Sequence, residues 1–312
     1  TVREALAYIR AHGFDRETLN MVYVTDEAGV LLDDVRVRRF LLADPETKVS
    51  ALMDGNYAML APADDREKAL HIFRQHDRVA LPVIGPGHKL IGIVTADDML
   101  DVAAEEATED IQKLGGSETL DEPYTTIALT KMVKKRAGWL VVLFLGEMLT
   151  ATAMSYFEDE IAKAVVLALF VPLIISSGGN AGSQAATLVI RALALGEFRL
   201  RDWWRVMRRE LAAGLMLGAI LGSIGFLRIV IWAQFSDIYG AHYLLVAATV
   251  GASLVGIVLW GSLMGSMLPL VLKKLGFDPA TSSAPFVATL VDVTGLVIYF
   301  SMAFVILRGT LL

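Results

Sequence analysis

Asp292 lies in a stretch of the chain that is otherwise apolar enough to cross a membrane. It is the only Asp, Glu, Lys, Arg or His within "APFVATLVDVTGLVIYF", which covers residues 284–300. A charge in a bilayer costs about 3 kcal/mol on insertion scales, so such a residue needs a partner or a function. One interpretation is an ion pair with Arg191 or Arg228. The other is an ion site, in which Asp292 and nearby carbonyl groups face a pore.

A second carboxylate, Glu147, interrupts the apolar stretch "LFLGEMLTATAM". It could line a path shared by two copies of the chain, pair with Arg191 or Arg228, or be protonated and buried. We favour a structural ion pair, because ionisable residues in membrane helices usually pair with one another.

Small and polar residues interrupt a third apolar stretch, "LFVPLIISSGGNAGSQAATLVIRALALGE" (169–197). An unbroken helix from Ile161 to Leu195 would be about 50 Å long, whereas the hydrocarbon core of a bilayer is about 30 Å thick. We therefore expect Pro172 and the glycines to interrupt the helix. Small residues also allow close helix packing, but the nearby amide side chains favour a water-lined path. The predicted pore-lining residues are Gly178, Gly179, Asn180 and Gln184.

The segment "DDMLDVAAEEATEDIQKLGG" (97–116) concentrates carboxylates outside the apolar stretches. They recur at helical spacing opposite an apolar face, and Gly115 and Gly116 end the pattern. Acids three or four residues apart on a helix repel one another unless a cation neutralises them. The segment predicts either a solvated helix face or a surface that binds divalent cations. Its acidic residues include Asp98, Asp101, Glu105, Glu106, Glu109 and Asp110.

Five apolar stretches follow Arg136, and two of them contain Glu147 and Asp292. Each reaches the roughly 20 residues that a membrane-spanning helix needs. Lysine and arginine are concentrated in alternate connections, which predicts a cytoplasmic N-terminal half and an external C-terminus. The stretches cover approximately residues 137–157, 161–195, 211–232, 243–272 and 286–307.

The N-terminal part of the chain is strongly acidic. Residues 1–125 contain 24 acidic and 13 basic side chains, a net charge of −11. This charge argues against a nucleic-acid partner, which would select clustered Lys and Arg. It suits divalent cations better. The absence of cysteine excludes disulfides and thiolate metal sites.

The same part contains a weak internal repeat. "MVYVTDEAGVLLDDV" (21–35) and "VALPVIGPGHKLIGIVT" (79–95) each have two apolar runs joined by a glycine-containing turn, which predicts a β-hairpin. Helical sequence precedes each hairpin, so the repeat fits a tandem CBS pair. The second copy resembles the CBS motif in "LIGIVTADDML", where Thr95 and Asp98 are candidate nucleotide ligands. The first copy departs from the motif, with Arg36 and Arg39 at the matching positions.

Three longer segments resemble the signature segments of the MgtE family of magnesium transporters. They are "SSGGNAGSQAATLVIRAL", "LVDVTGLVIYF" and "EEATEDIQKL". The resemblance implies α+β cytosolic tandem CBS domains followed by an all-α polytopic membrane domain of five transmembrane helices. The implied boundaries are 1–55 for a degenerate first CBS motif, 56–100 for the second, 101–136 for a connecting "plug" helix and 137–312 for the pore domain.

The resemblance also implies a function. A homodimer in a prokaryotic cell membrane, surrounded by lipid, would take up Mg²⁺ through a pore on its two-fold axis. Cytosolic Mg²⁺ would close the pore by binding the CBS and plug surfaces, ATP is a candidate ligand of the CBS pair, and no enzymatic activity is implied. The helical N domain that precedes the CBS pair in the family has no counterpart in this sequence. By position, Asp292 and Ala288 match the family's pore site, and Asp98, Asp101, Glu106, Glu109 and Asp278 match its regulatory acidic residues.

Two other functions remain open from the sequence. A non-conducting membrane Mg²⁺ sensor could signal through its CBS pair, and a CBS-regulated channel could pass anions. A sensor needs no path through the bilayer, and an anion path would not favour a lone aspartate. A Mg²⁺ path is therefore the favoured interpretation.

Overall fold

The computed structural model describes residues 1–14, 16–76 and 78–311. The chain divides into two compact units, Thr1–Thr108 and Glu109–Leu312. We call the first the N-terminal unit and the second the membrane unit. The division falls inside the predicted plug segment, and the predicted boundaries at 55, 100 and 136 stay predictions.

The N-terminal unit contains two helix-and-hairpin repeats. The first consists of α1 (Val2–His12), β1 (Met21–Thr25), β2 (Leu31–Arg36) and α2 (Val37–Leu42). The second consists of α3 (Arg66–His76), β3 (Ala80–Ile84), β4 (Leu90–Thr95) and the start of α4 (Ala96–Leu114). The helix predicted from the acidic segment is therefore present, and it ends before Gly116, whose φ of +71° suits glycine.

Both hairpins are antiparallel, as their sequences predict. Met21 pairs with Arg36 at the open end of the first hairpin, and Ala80 pairs with Thr95 in the second. Apolar side chains of each repeat form a separate small core, because each hairpin turns one face towards its own helices. The first core contains Val2, Val35 and Phe40, and the second contains Leu60, Phe73, Leu81 and Met99.

The membrane unit has five helices long and apolar enough to cross a bilayer. The spans are Leu129–Tyr156, Val165–Ala194, Leu200–Trp232, Tyr243–Lys274 and Ala284–Leu307. The α-helices in this unit are α5 (Leu129–Tyr156), α6 (Glu158–Lys163), α7 (Val171–Ala194), α8 (Trp203–Trp232), α9 (Tyr243–Lys274) and α10 (Ala284–Leu307). The first and third spans begin about ten residues before the predicted apolar stretches, because basic residues continue the helix beyond the apolar core.

Glycines hold α9 against α7 and α8. A Cβ atom on Gly265 of α9 would lie 2.0 Å from the carbonyl oxygen of Gly182 in α7, and one on Gly218 of α8 would lie 2.9 Å from the backbone of Val255. Only glycine permits backbones to approach this closely. These contacts make α9 the central helix of the unit.

The second span is not interrupted where the sequence predicts. The expectation that Pro172 and the glycines break the helix is wrong, since α7 is continuous from Val171 to Ala194. Pro172 lies in the first turn, where a missing N–H removes no helical hydrogen bond. The irregularity lies earlier, at a 3₁₀ segment from Val165 to Phe170. The buried hydroxyl of Tyr299 donates to the carbonyl of Leu167 there, at 2.9 Å.

α5 is the least buried helix of the five spans. Only 6% of its most apolar window is buried, against 56% for α9. Its apolar side chains, among them Val141, Phe144 and Leu145, are exposed on the single chain. It packs chiefly against α10, so most of its surface is available to lipid or to another subunit.

Candidate cation path and docking of the acidic helix

Asp292 is the ninth residue of α10 and lies next to α7. The helix begins at Ser283, whose hydroxyl accepts from the backbone N–H of Phe286 at 3.3 Å. A Cβ atom on Gly179 would lie 3.3 Å from both the Ala288 Cβ and the Asp292 Oδ1. The glycine thus lets the α7 backbone reach the half-buried carboxylate. Gly179, Ala288 and Asp292 are brought together.

Gly178 has a different environment from Gly179. A Cβ atom there would lie 2.5 Å from Ile257 and 2.8 Å from Val291. Ile257 and Val291 are fully buried apolar side chains. Gly178 therefore serves close packing between helices, which is the alternative interpretation of the glycine run.

The polar side chains of α7 form an exposed stripe on a helix of membrane length. Ser176, Asn180, Gln184 and Thr187 recur at intervals of three or four residues and are exposed on the single chain. The Asn180 amide donates to the Ser176 hydroxyl at 3.3 Å. Because lipid cannot hydrogen-bond these groups, a stripe of this kind must face water or protein. It adjoins Gly179, which touches Asp292.

The carboxylates of Asp292 and Glu147 are close enough for their like charges to repel each other. Within the described part of the chain, neither forms an ion pair with an arginine. The Arg228 guanidinium instead stacks 4.2 Å from the centre of the Trp232 ring, and Arg191 is exposed. The favoured interpretation of Glu147 as half of a structural ion pair is not supported by this geometry.

The C-terminal end of α4, from Glu109 onwards, belongs to the membrane unit and packs against its other elements. Lys113 Nζ lies 2.6 Å from Asp278 Oδ2 and 2.5 Å from Glu109 Oε1. Burial disfavours the ammonium charge, but hydrogen bonds to Asp278 and Glu109 outweigh burial and hold the pKa of Lys113 above its ordinary value. Two predicted regulatory acids are therefore joined by a lysine that the sequence reasoning missed. The signal was present, since Glu109 and Lys113 are four residues apart.

Apolar contacts reinforce this docking. Leu114 packs against a cluster that includes Ile190, Ala280 and Val287. Just beyond it, a Cβ atom on Gly116 would lie 2.7 Å from Trp139 and 3.3 Å from Pro285. The Trp139 indole N–H donates to the Ser283 hydroxyl at 3.1 Å. The segment at the end of α4 thus touches the third turn of α5 and the first turn of α10.

The other predicted regulatory acids are engaged locally or exposed. Asp98 Oδ2 accepts from the Thr95 hydroxyl at 2.5 Å and from its backbone N–H at 3.0 Å. Glu106 lies 3.5 Å from the Arg66 guanidinium, and Asp101 is exposed. Within the described residues, no three Asp, Glu or His side chains converge to hold a metal ion.

A basic cavity of about 380 Å³ is lined by residues of both repeats of the N-terminal unit. Asp34 is buried there, 3.1 Å from the Arg78 guanidinium. Burial raises the pKa of Asp34, partly offset by Arg78. Arg39 pairs with Asp54 at 3.0 Å. The lining residues are Asp34, Arg36, Arg38, Arg39, Asp54, Asn56, Gln75, His76 and Arg78.

Comparisons with known proteins agree with this architecture. A family model described as "Divalent cation transporter" matches residues 171–302, and a CBS domain model matches residues 49–105. The chain is 41% identical over 309 residues to the magnesium transporter MgtE of Thermus thermophilus, covering 99% of this chain and 67% of that protein. The chain belongs to the MgtE family. The predicted membership and fold class are thereby confirmed, and the protein is a multi-pass membrane protein.

Two further relatives are also named as the magnesium transporter MgtE. Those of Enterococcus faecalis and Bacillus subtilis are each 31% identical to this family member. The alignments cover 99% and 97% of this chain, and 66% and 65% of the two relatives. The chain therefore spans about two thirds of the length of the curated relatives it matches. These relatives are named as transporters, which is a class distinct from enzymes.

Two solved structures are similar to about a third of this chain. A cytosolic domain of the Mg²⁺ channel MgtE in complex with ATP is 36% identical, with a TM-score of 0.32, covering 33% of this chain and 41% of that one. The soluble part of a magnesium transporter is 31% identical, with a TM-score of 0.34, covering 34% and 42%.

Proposed function

We propose that the chain is a Mg²⁺ channel or transporter for uptake across a prokaryotic cell membrane, which cytosolic Mg²⁺ closes. The observation that carries this proposal is the half-buried Asp292 of α10, which contacts Gly179 beside the exposed polar stripe of α7. A carboxylate without a basic partner in a membrane helix favours a cation. The relatives named as magnesium transporters support Mg²⁺ as that cation.

The chemistry of Mg²⁺ suits a site with few carboxylates. Mg²⁺ dehydrates reluctantly and usually keeps several waters while one or two carboxylates hold it. One Asp292 from each of two copies across a two-fold axis would supply that number. The Ala288 carbonyl, one turn away, and the amides of Asn180 and Gln184 would hydrogen-bond the retained waters. The proposed assembly is therefore a homodimer with its pore on the axis.

The acidic residues of α4 are the proposed regulatory part. Asp98, Asp101, Glu106 and Glu109, with Asp278, would bind Mg²⁺ when its cytosolic concentration is high. Binding would neutralise carboxylates that otherwise repel, and would shift the population towards a closed state. The packing of Leu114 and Gly116 against α5 and the start of α10 supports a mechanical link. The concentration of Lys and Arg in alternate connections supports a cytoplasmic location for these acids.

ATP binding to the CBS pair is a second part of the proposal. The basic cavity favours an anionic ligand, because four arginines line it and only two carboxylates offset them. Thr95 and Asp98 already satisfy each other, so an added ligand there would have to displace that contact. The relative whose cytosolic domain was solved with ATP supports a nucleotide as the anion.

The test is ion flux into liposomes that contain the purified chain. A Mg²⁺-sensitive dye inside the vesicles is expected to report uptake when an inward Mg²⁺ gradient is applied. Chloride flux without Mg²⁺ flux would favour an anion channel. Failure to pass either ion, with Mg²⁺ still changing the protease sensitivity of the N-terminal unit, would favour a non-conducting sensor.

A further inference from the structure

Lys113 occupies the position between two carboxylates of the membrane unit. Its ammonium nitrogen lies 2.6 Å from Asp278 and 2.5 Å from Glu109, and all three side chains are about one-quarter to one-third exposed. Glu109 and Lys113 belong to α4, whereas Asp278 precedes α10 by six residues. The lysine therefore makes a charged link between α4 and the turn that leads into the helix of Asp292.

Asp278 and the end of α4 that carries Glu109 are held in place by contacts that do not involve the lysine. Asp278 Oδ1 accepts from the backbone N–H of Ala280 at 2.8 Å, which fixes its side chain at the start of a short 3₁₀ turn. Leu114, next to Lys113, is packed in an apolar cluster, and Gly116 is wedged between Trp139 and Pro285. One oxygen of each carboxylate therefore faces the same point, and the ammonium group occupies that point.

A divalent cation would use the same oxygens. Mg²⁺ binds carboxylate oxygens at about 2.1 Å and keeps several of its waters. The ammonium group and a metal ion cannot both sit between Glu109 and Asp278, because each would lie within about 3 Å of the same two oxygens. Binding of the metal thus requires Lys113 to move away.

We propose that Lys113 is an internal competitor that sets the Mg²⁺ concentration at which Glu109 and Asp278 are bridged. The inference rests on the proposed regulatory role of these two acids. With little Mg²⁺, the lysine cancels one of the two negative charges and weakens the repulsion between the carboxylates. With more Mg²⁺, the ion replaces the ammonium group. The apparent Mg²⁺ affinity of the site then reflects how much more strongly the two carboxylates bind Mg²⁺ than the ammonium group.

The competing interpretation is a purely structural ion pair. In that case removal of the lysine would loosen the end of α4, and a longer or shorter cation at the same position would loosen it as well. The two interpretations differ in the direction of the effect. Competition predicts that a weaker internal cation makes Mg²⁺ act at lower concentration and a stronger one makes it act at higher concentration.

The experiment compares Lys113→Met with Lys113→Arg in the purified 312-residue chain. Methionine keeps the length of the side chain and removes its charge. Arginine can hold both carboxylates through its planar fork, which is a stronger contact. Cleavage after Tyr124, in the exposed segment 121–126, is measured with chymotrypsin over a Mg²⁺ titration. Lys274→Met, an exposed lysine at the end of α9, is the matched control.

The midpoint of Mg²⁺ protection is expected to fall at least fivefold in Lys113→Met, to rise in Lys113→Arg, and to stay unchanged in the control. A midpoint that does not change, or that moves in the same direction in both variants, would overturn the proposal. If Lys113→Met does not fold, the direction of the Lys113→Arg shift decides alone. The readout does not involve transport, so a parent chain that carries no Mg²⁺ would refute the proposed function and leave this test intact.

Discussion

Gly265 of α9 crosses Gly182 of α7 so closely that a methyl group on Gly265 would lie 2.0 Å from the Gly182 carbonyl oxygen. The neighbouring atoms are backbone and cannot turn aside. Gly265→Ala is therefore expected to destabilise the membrane unit by about 1–3 kcal/mol, as overpacking of a core does. Thermal unfolding in detergent measures this. Gly256→Ala is the control, since its Cβ would meet only an Ile298 side-chain atom at 3.4 Å; equal losses in both would contradict the assignment.

Asp292→Asn is expected to reduce Mg²⁺ flux by at least tenfold while folding is kept. The amide has the shape of the carboxylate but lacks its charge, and a tenfold loss corresponds to only about 1.4 kcal/mol of ion stabilisation. Flux into liposomes and the unfolding temperature are measured on the same preparation. Asp237→Asn makes the same chemical change in a loop outside the spans. Normal uptake by the Asp292 variant would rule out this residue as the conduction site.

Glu147→Gln is expected to alter ion affinity more than stability. Glu147 is exposed on α5 and interacts electrostatically with Asp292, and it has no arginine partner within the described residues. Its charge should attract a cation to Asp292, so the Mg²⁺ concentration for half-maximal uptake should rise about two- to fivefold, the scale of an exposed charge pair. A large fall in unfolding temperature with unchanged uptake would restore the structural interpretation.

The double variant Glu106→Gln and Glu109→Gln is expected to stay active at cytosolic Mg²⁺ concentrations that close the parent. Removing the acids relieves a repulsion of only about 0.2–0.5 kcal/mol per pair, whereas couplings through a bound ligand reach about 1–3 kcal/mol. Loss of closure should dominate, with the closing concentration raised at least fivefold. Patch recordings with stepped cytosolic Mg²⁺ measure it.

Glu105→Gln provides the control for that experiment. Glu105 is on the same helix and pairs with Arg66 at 2.8 Å, but it is not among the proposed regulatory acids. Closure of the double variant at the parent's concentration would mean that the acidic face is merely solvated.

Much of the fold follows from local patterns in the sequence. The hairpins, α4 and the five spans were predicted because apolar periodicity and turn glycines are local signals. The continuity of α7 was not, because Pro172 is harmless in a first turn and the glycines are stabilised by contacts with α9 and α10. Such contacts join residues that are distant in the chain.

The candidate site was predicted less completely. Asp292 was identified from its isolated charge, Ala288 from the family resemblance and Gly179 from the glycine-rich stretch, and the three lie together. The position of Lys113 against Asp278, 165 residues away, has no local signature beyond its spacing from Glu109. The basic cavity likewise joins Arg36 and Arg78 from different repeats. Pairing across such distances depends on the packed fold.

The sparse burial of α5 has a consequence for biogenesis. Of the five spans described, α5 is synthesised before the others, yet it packs chiefly against α10, which is synthesised after them. Because chains emerge from the ribosome N-terminus first, α5 must enter the bilayer long before its partner exists. It must remain there as a separately inserted helix, with Glu147 uncovered, while α7, α8 and α9 assemble through their glycines. Insertion factors that shelter a polar group in a newly inserted helix would therefore act on this protein at α5.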